Sequence, residues 1–219
     1  MAEIERRSPT GRRRESKAAR REQLMDATLA TVAQRGLAAT TLADVADRAG
    51  LSRGIVNFHF DSKERLLLET LSRLSAEYDA NWREELMAAR PLPAARLRAL
   101  VAADLAPRIC APEKVAAWFA FFAEAAARPH FRELCWDRDD AYLAAMTSAC
   151  DALEREEGYG LDPAKTAMSI YAMQEGLWLR LMLGNAEMSR TDALDLSLGL
   201  LGTLFPRHFT SEGDLRADR

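Results

Sequence analysis

Three sets of residues in this chain have the types and spacing to do chemistry. The first is Arg53, with Gly54, Ile55, Asn57, Phe58 and His59 behind it and Lys63 just beyond. An arginine can donate two parallel hydrogen bonds to a guanine edge, and an apolar side chain such as Ile55 can meet a thymine methyl. Gly54 would let the backbone come close to a partner, and Lys63 would offer its charge to a phosphate. The second set is aromatic and acidic. Tyr171, Glu175, Trp178 and Met182 stand at i, i+4, i+7 and i+11, one face of a helix. A carboxylate flanked by ring faces suits an organic cation, and Trp118, Phe122 and Trp136 could complete such a pocket. The third set is what an enzyme would need, and its geometry is poor. His59, His130 and His208 are scattered, Asp139 and Asp140 are adjacent and diverge on a helix, and neither a glycine-rich phosphate loop nor GxSxG is present. No metal-ligand spacing appears. The expectation is a protein without enzymatic activity, cofactor or metal.

The elements that must position the first set are unusually short. "TTLADVADRAGLSRGIVNFHFDSKERLL", Thr40 to Leu67, holds two brief apolar-periodic pieces joined at Gly50 and a third beginning after Phe60. Helices of this length are marginal alone, so they must hold one another. Thr41 and Asp44 have the spacing of a capping box, and Ser52 suits the N-cap of a helix running to about His59. Asp61 or Ser62 would cap a long helix to about Ala89. Val56 and Phe60 share a face that should pack on Val45 and Ala49, leaving Arg53, Gly54, Ile55, Asn57 and His59 outward. That is the layout of a helix-turn-helix, whose second helix enters the major groove. Before it, a helix should run from Ser16 to Gly36, preceded by a flexible basic arm over residues 1–15. Later proline and glycine punctuation predicts helices near 94–106, 112–127, 130–156, 163–183 and 190–205, so the class is all-α.

Charge divides the chain the same way. Residues 1–63 hold 12 Lys/Arg against 8 Asp/Glu, whereas the whole chain is at −3. A basic N-terminal part on an acidic body fits a nucleic-acid-binding head on a different domain. The three cysteines lie far apart without CxxC, and no stretch is long and apolar enough to cross a membrane. The polar start predicts no signal peptide, and reduced thiols predict a cytoplasmic protein.

The segment resembles the DNA-binding region of TetR-family transcriptional regulators. Thr41, Val45, Ala46, Ala49, Gly50, Leu51, Ser52, Gly54, Val56, His59, Phe60, Lys63 and Leu66 match that family's pattern. Asn57 departs from it: a short amide stands where the family has a tyrosine hydroxyl. Downstream, "AWFAFFAEAAARPHFREL" and "EGLWLRLMLG" are similar to the C-terminal domain of the BetI-type, choline-responsive branch. The resemblance implies a DNA-binding domain over residues 16–63 and a ligand-binding and dimerisation domain over 64–219. It implies a homodimer on a palindromic double-stranded operator, with Thr41, Ser52, Arg53, Gly54, Ile55, Asn57, Phe58, His59 and Lys63 at the DNA. It further implies repression released by a small molecule, choline or a related cation. Regulation of unrelated metabolic or efflux genes by an uncharged or anionic effector is the alternative, and a helical adaptor without DNA binding is a distant one. The aromatic stripe itself has a second reading as core packing, with Glu175 paired to Arg180 or Arg138. Leu177, Leu181, Leu194, Leu198 and Leu201 form apolar stripes expected to need a second protomer.

Overall fold

The computed structural model describes residues 11–125, 127–184 and 188–216. Among them the helices are α1 (Gly11–Ala39), α2 (Leu42–Ala49), α3 (Arg53–His59), α4 (Lys63–Ala88), α5 (Pro93–Asp104), α6 (Pro112–Ala125), α7 (Pro129–Glu157), α8 (Pro163–Met182) and α9 (Arg190–Leu204). No strand occurs among the described residues, and one antiparallel bridge joins Phe209 to Leu215. The all-α class follows from the sequence, as do most boundaries. The start of α1 does not: the helix already includes residues 11–15, which were expected to be arm, because the basic run "GRRRESK" has no helix breaker after Gly11. The arm's residues 1–10 lie outside the described residues.

Local sequence explains the short helices. Thr41 and Asp44 form the reciprocal capping box at the start of α2, with Thr41 N–H donating to Asp44 Oδ2 at 3.0 Å and Asp44 N–H donating to Thr41 Oγ1 at 3.2 Å. Gly50 ends α2 at φ 64, ψ 31, a left-handed conformation that glycine adopts without penalty. Ser62, rather than Asp61, caps α4, its Oγ accepting from Arg65 N–H at 3.1 Å. Ser52 stands at the N-cap of α3, but its side chain makes no cap bond.

Two cores result. A small one gathers Leu24, Met25, Ala27, Val45, Ala46, Val56, Phe60 and Leu66 from α1 to α4. A large one runs from Leu29, Val32 and Leu37 of α1 through the body to Phe205 and Phe209. Each leucine, valine, methionine or phenylalanine side chain so buried contributes roughly 1.5–3 kcal/mol. Arginines tie the two cores together across α1 and α4. Arg21 donates to the His59 carbonyl at 2.7 Å, pairs with Glu69 and lies 4.5 Å over the Phe60 ring. Arg73 pairs with both Glu22 and Asp26 at 2.7 Å.

The leucine stripe of α8 and α9 differs from expectation. Leu177, Leu198 and Leu201 are buried within one protomer, and Leu181 and Leu194 are half-buried. They face their own body because α9 packs on α5 as well as α8. The apolar side chains left outside are Met168, Leu179, Leu183 and Leu196. The chain then turns back, and Gly202 lies so close to the Thr210 carbonyl that a Cβ there would run into it.

Candidate nucleic-acid interface and effector site

The face of α3 away from the small core carries the expected residues. Arg53, Gly54, Asn57 and Phe58 are exposed, Ile55 and His59 are half-buried, and Val56 is fully buried. Phe58 is 73% exposed, its ring edge-on to His59 with the centroids 5.2 Å apart. Thr41 and Ser52 are exposed at the starts of α2 and α3. Lys63 begins α4 and is partly anchored, its Nζ donating to the Ala38 carbonyl at 3.1 Å.

Electrostatics refine two of these residues. Burial pushes the His59 pKa down, and the nearby charges of Arg21, Lys17 and Arg20 push it further. Both effects favour the neutral form of His59, whose buried Nδ1 has no hydrogen-bond partner. The hydrogen bond from the Thr41 hydroxyl lowers the Asp44 pKa, and Arg35 at 2.7 Å adds to it. Lys17, whose Nζ stands 5.7 Å over the Phe58 ring, and Arg20 extend the basic edge onto α1. The sequence alone did not single them out as neighbours of α3. Their signal was the helical spacing of Lys17, Arg20 and Arg21 within a run read only as the first helix.

The effector residues divide into two groups. Tyr171 and Trp178 are buried and Glu175 is half-buried. Tyr171 donates to Asp139 at 2.7 Å, and Trp178 Nε1 donates to the Asp104 carbonyl at 3.2 Å. Their rings join a cluster that sequence spacing did not reveal. Tyr78 stands 5.7 Å from Tyr142 and 6.1 Å from Trp178, Trp82 stands 5.9 Å from Tyr142, and Tyr142 stands 6.0 Å from Tyr171. Carboxylates lie at its edges: Tyr78 donates to the buried Asp104 at 2.8 Å. Gln174, fully buried, donates to the Val101 carbonyl at 2.9 Å. Trp118 and Phe122 form a stacked pair on α6, their ring centroids 5.6 Å apart. The side chains of Trp136 and Arg138 lie outside the described residues. Arg180 is exposed. The pattern Tyr78-x-x-x-Trp82 in α4 was a visible signal for the wider cluster.

Burial pushes the Cys150 thiol up to about 12 and raises that of Cys110 as well, so neither is a nucleophile. No group of three His, Cys, Asp or Glu able to hold a metal occurs among the described residues, and no described helix is long and apolar enough to cross a membrane.

A model of the C-terminal domain of BetI-type transcriptional repressors matches residues 93–206, and one of the tetR family of bacterial regulatory proteins matches residues 24–70. The chain belongs to the TetR family. The HTH-type transcriptional regulator BetI of Paraburkholderia phymatum is 35% identical over 178 residues, 81% of this chain and 89% of that protein. Its counterpart from Paraburkholderia xenovorans is 36% identical over 162 residues, 74% of this chain and 80% of that one. Among solved structures, a transcriptional regulator from Pseudomonas aeruginosa PAO1 has a TM-score of 0.74 at 22% identity, covering 91% of this chain and 95% of its own. One from Saccharomonospora viridis, in complex with choline, has a TM-score of 0.74 at 21% identity, covering 84% and 96%. As a TetR-family member with a BetI-type body, the protein is a DNA-binding transcriptional repressor. The tetR match spans the small core from Leu24 to Leu66.

Proposed function

We propose that the protein represses as a homodimer and leaves its operator on binding a small organic cation, choline or a relative. The outward face of α3 carries the DNA half of this reading. Two such faces would meet half-sites about one turn, ~34–36 Å, apart. Arg53→Ala should relax preference at one base pair by ~1–3 kcal/mol, while Lys63→Ala should weaken all sequences alike and reduce the salt slope by about 1. Competition mobility shifts against single-base operator variants at several salt concentrations separate the two. Parental behaviour in both variants would remove α3 from the groove.

The single observation that carries the effector is the aromatic cluster with its acidic edges. Tyr78, Trp82, Tyr142, Tyr171 and Trp178 are linked ring to ring, with Asp104 and Asp139 on the hydroxyls of Tyr78 and Tyr171 and Glu175 on α8 with Tyr171 and Trp178. Ring faces attract a quaternary ammonium, and a carboxylate balances its charge. The S. viridis regulator supports the class of ligand. The cation must bind the DNA-incompetent state better, or it shifts nothing. Glu175→Gln keeps the shape and removes the charge, so choline affinity should fall by ~1–3 kcal/mol in calorimetric titration. No binding to the parent, or equal binding to both proteins, would return the cluster to the core.

The dimer would form where apolar surface remains. Met173, Leu177, Met188, Leu196 and Leu200 line a groove of about 890 Å³ along α8 and α9, with Asp192 and Asp195 beside it. A regulator of this kind works in the cytoplasm, on the bacterial chromosome.

A further inference from the structure

We propose that a cleft at the far ends of α8 and α9 is a second small-molecule site, one for an amphipathic carboxylate. The cleft encloses about 420 Å³ and is lined by Pro107, Cys110, Val115, Leu181, Met182 and Arg190, among others. That volume falls in the range of small-molecule pockets, roughly 300–1,000 Å³. It adjoins the aromatic cluster at Cys110, shares no lining residue with the α8–α9 groove, and does not rest on the cation reading.

Its chemistry selects the ligand. The walls are proline, valine, leucine and methionine, which favour a hydrocarbon chain. Cys110 is part of the lining but is chemically spent: burial raises its thiol, and its Sγ donates to the Asp104 carbonyl at 3.3 Å. Among the described residues, the charged side chain in the lining is Arg190. Its Nη1 donates to the Leu105 carbonyl at 3.0 Å, which fixes the guanidinium and spends one of its five N–H groups. A fixed guanidinium on an apolar cleft matches a carboxylate with a chain behind it, by a charge-assisted and geometrically specific contact. It repels an organic cation, and an uncharged chain would bury the cleft without answering the charge.

The position also links this cleft to the body's centre. Arg190, Cys110 and Trp178 all donate to the carbonyls of Asp104 and Leu105, where α5 ends. A ligand drawing on Arg190 would therefore bear on the same backbone that holds Trp178 in the aromatic cluster.

The test is calorimetric titration of the full chain with octanoate, 1-octanol and choline. Octanoate should bind, and octanol should bind at least about tenfold more weakly, the margin of a charge-assisted contact. Arg190→Gln should weaken octanoate by about the same factor and leave octanol unchanged. Because Arg190 also ties α9 to α5, Ala111→Phe provides an independent variant: Ala111 is also part of the lining, and the larger ring fills the cleft, leaves Arg190 in place and should abolish octanoate binding. The site is refuted by an absence of octanoate binding to the parent, by octanol binding as well as octanoate, or by parental octanoate affinity in both variants. Strict competition, with the apparent choline affinity falling in proportion to octanoate and reaching no plateau, would put both in one site and overturn it too. Failure of choline alone to bind the parent would instead count against the cation reading and leave this site standing.

Discussion

Phe60→Ala should melt the DNA-binding head while the body stays folded. Phe60 is 1% exposed and sits in a core of only eight buried apolar side chains among the described residues. Removing a buried phenylalanine costs about 3–5 kcal/mol, a large part of what any small domain has, roughly 5–15 kcal/mol. The guanidinium of Arg21 would also lose the ring it covers. The sequence provides a clean readout. Its four tryptophans, Trp82, Trp118, Trp136 and Trp178, all lie beyond the head. Tryptophan fluorescence should therefore keep its unfolding transition, while far-UV circular dichroism loses helix at a lower temperature and operator binding disappears. Full operator binding by the variant, or a single transition in which fluorescence and dichroism fall together, would show that the head has no separate core.

Leu196→Glu should abolish operator binding without touching the head. Leu196 is 53% exposed in the protomer and lines the apolar groove beside Asp192 and Asp195. An exposed position tolerates a carboxylate in the monomer, so stability should change by no more than about 0.5 kcal/mol. In a symmetric dimer the same face meets its copy, and the variant would bring new negative charges together with the aspartates in a drying interface. Such juxtaposition costs several kcal/mol. Sedimentation should show monomer, and affinity for a palindromic operator should drop by two orders of magnitude or more, since each head would bind alone. A dimeric variant with parental affinity would place the interface elsewhere.

Why these two faces differed in legibility is physical. The head could be read almost residue by residue, because its helices are set by local chemistry. Capping pairs such as Thr41–Asp44 and the left-handed Gly50 act within a few residues and leave a fixed spacing. The body's helix boundaries were equally local, marked by Pro93, Pro112, Pro129 and Pro163 at helix starts. Partners across the body were not. Tyr78 and Trp82 meet Tyr142 and Trp178 only through the packing of α4, α7 and α8, which no spacing along one helix encodes. Leu198 and Leu201 carry the same pattern as an interface stripe, and only the course of α9 over α5 turns them inward. Ser52 was read as a cap because its type and place are right, yet its hydroxyl makes no such bond.

The boundary between the two cores has a consequence for anyone who would transplant this sensor. Leu66 and Leu67 are neighbours in α4, yet Leu66 belongs to the small core and Leu67 to the large one. On α1, Ala27 and Leu29 divide in the same way. A chimera joined in the turn at Asp61 and Ser62, the natural seam by eye, would strip Leu66 and Arg21's partner Glu69 from the head they complete. A workable exchange has to carry α4 with the head at least through Thr70. It must also rewrite Leu29, Val32 and Leu37 to suit whichever body receives them, so the cassette worth cloning is longer than the motif that recognises DNA.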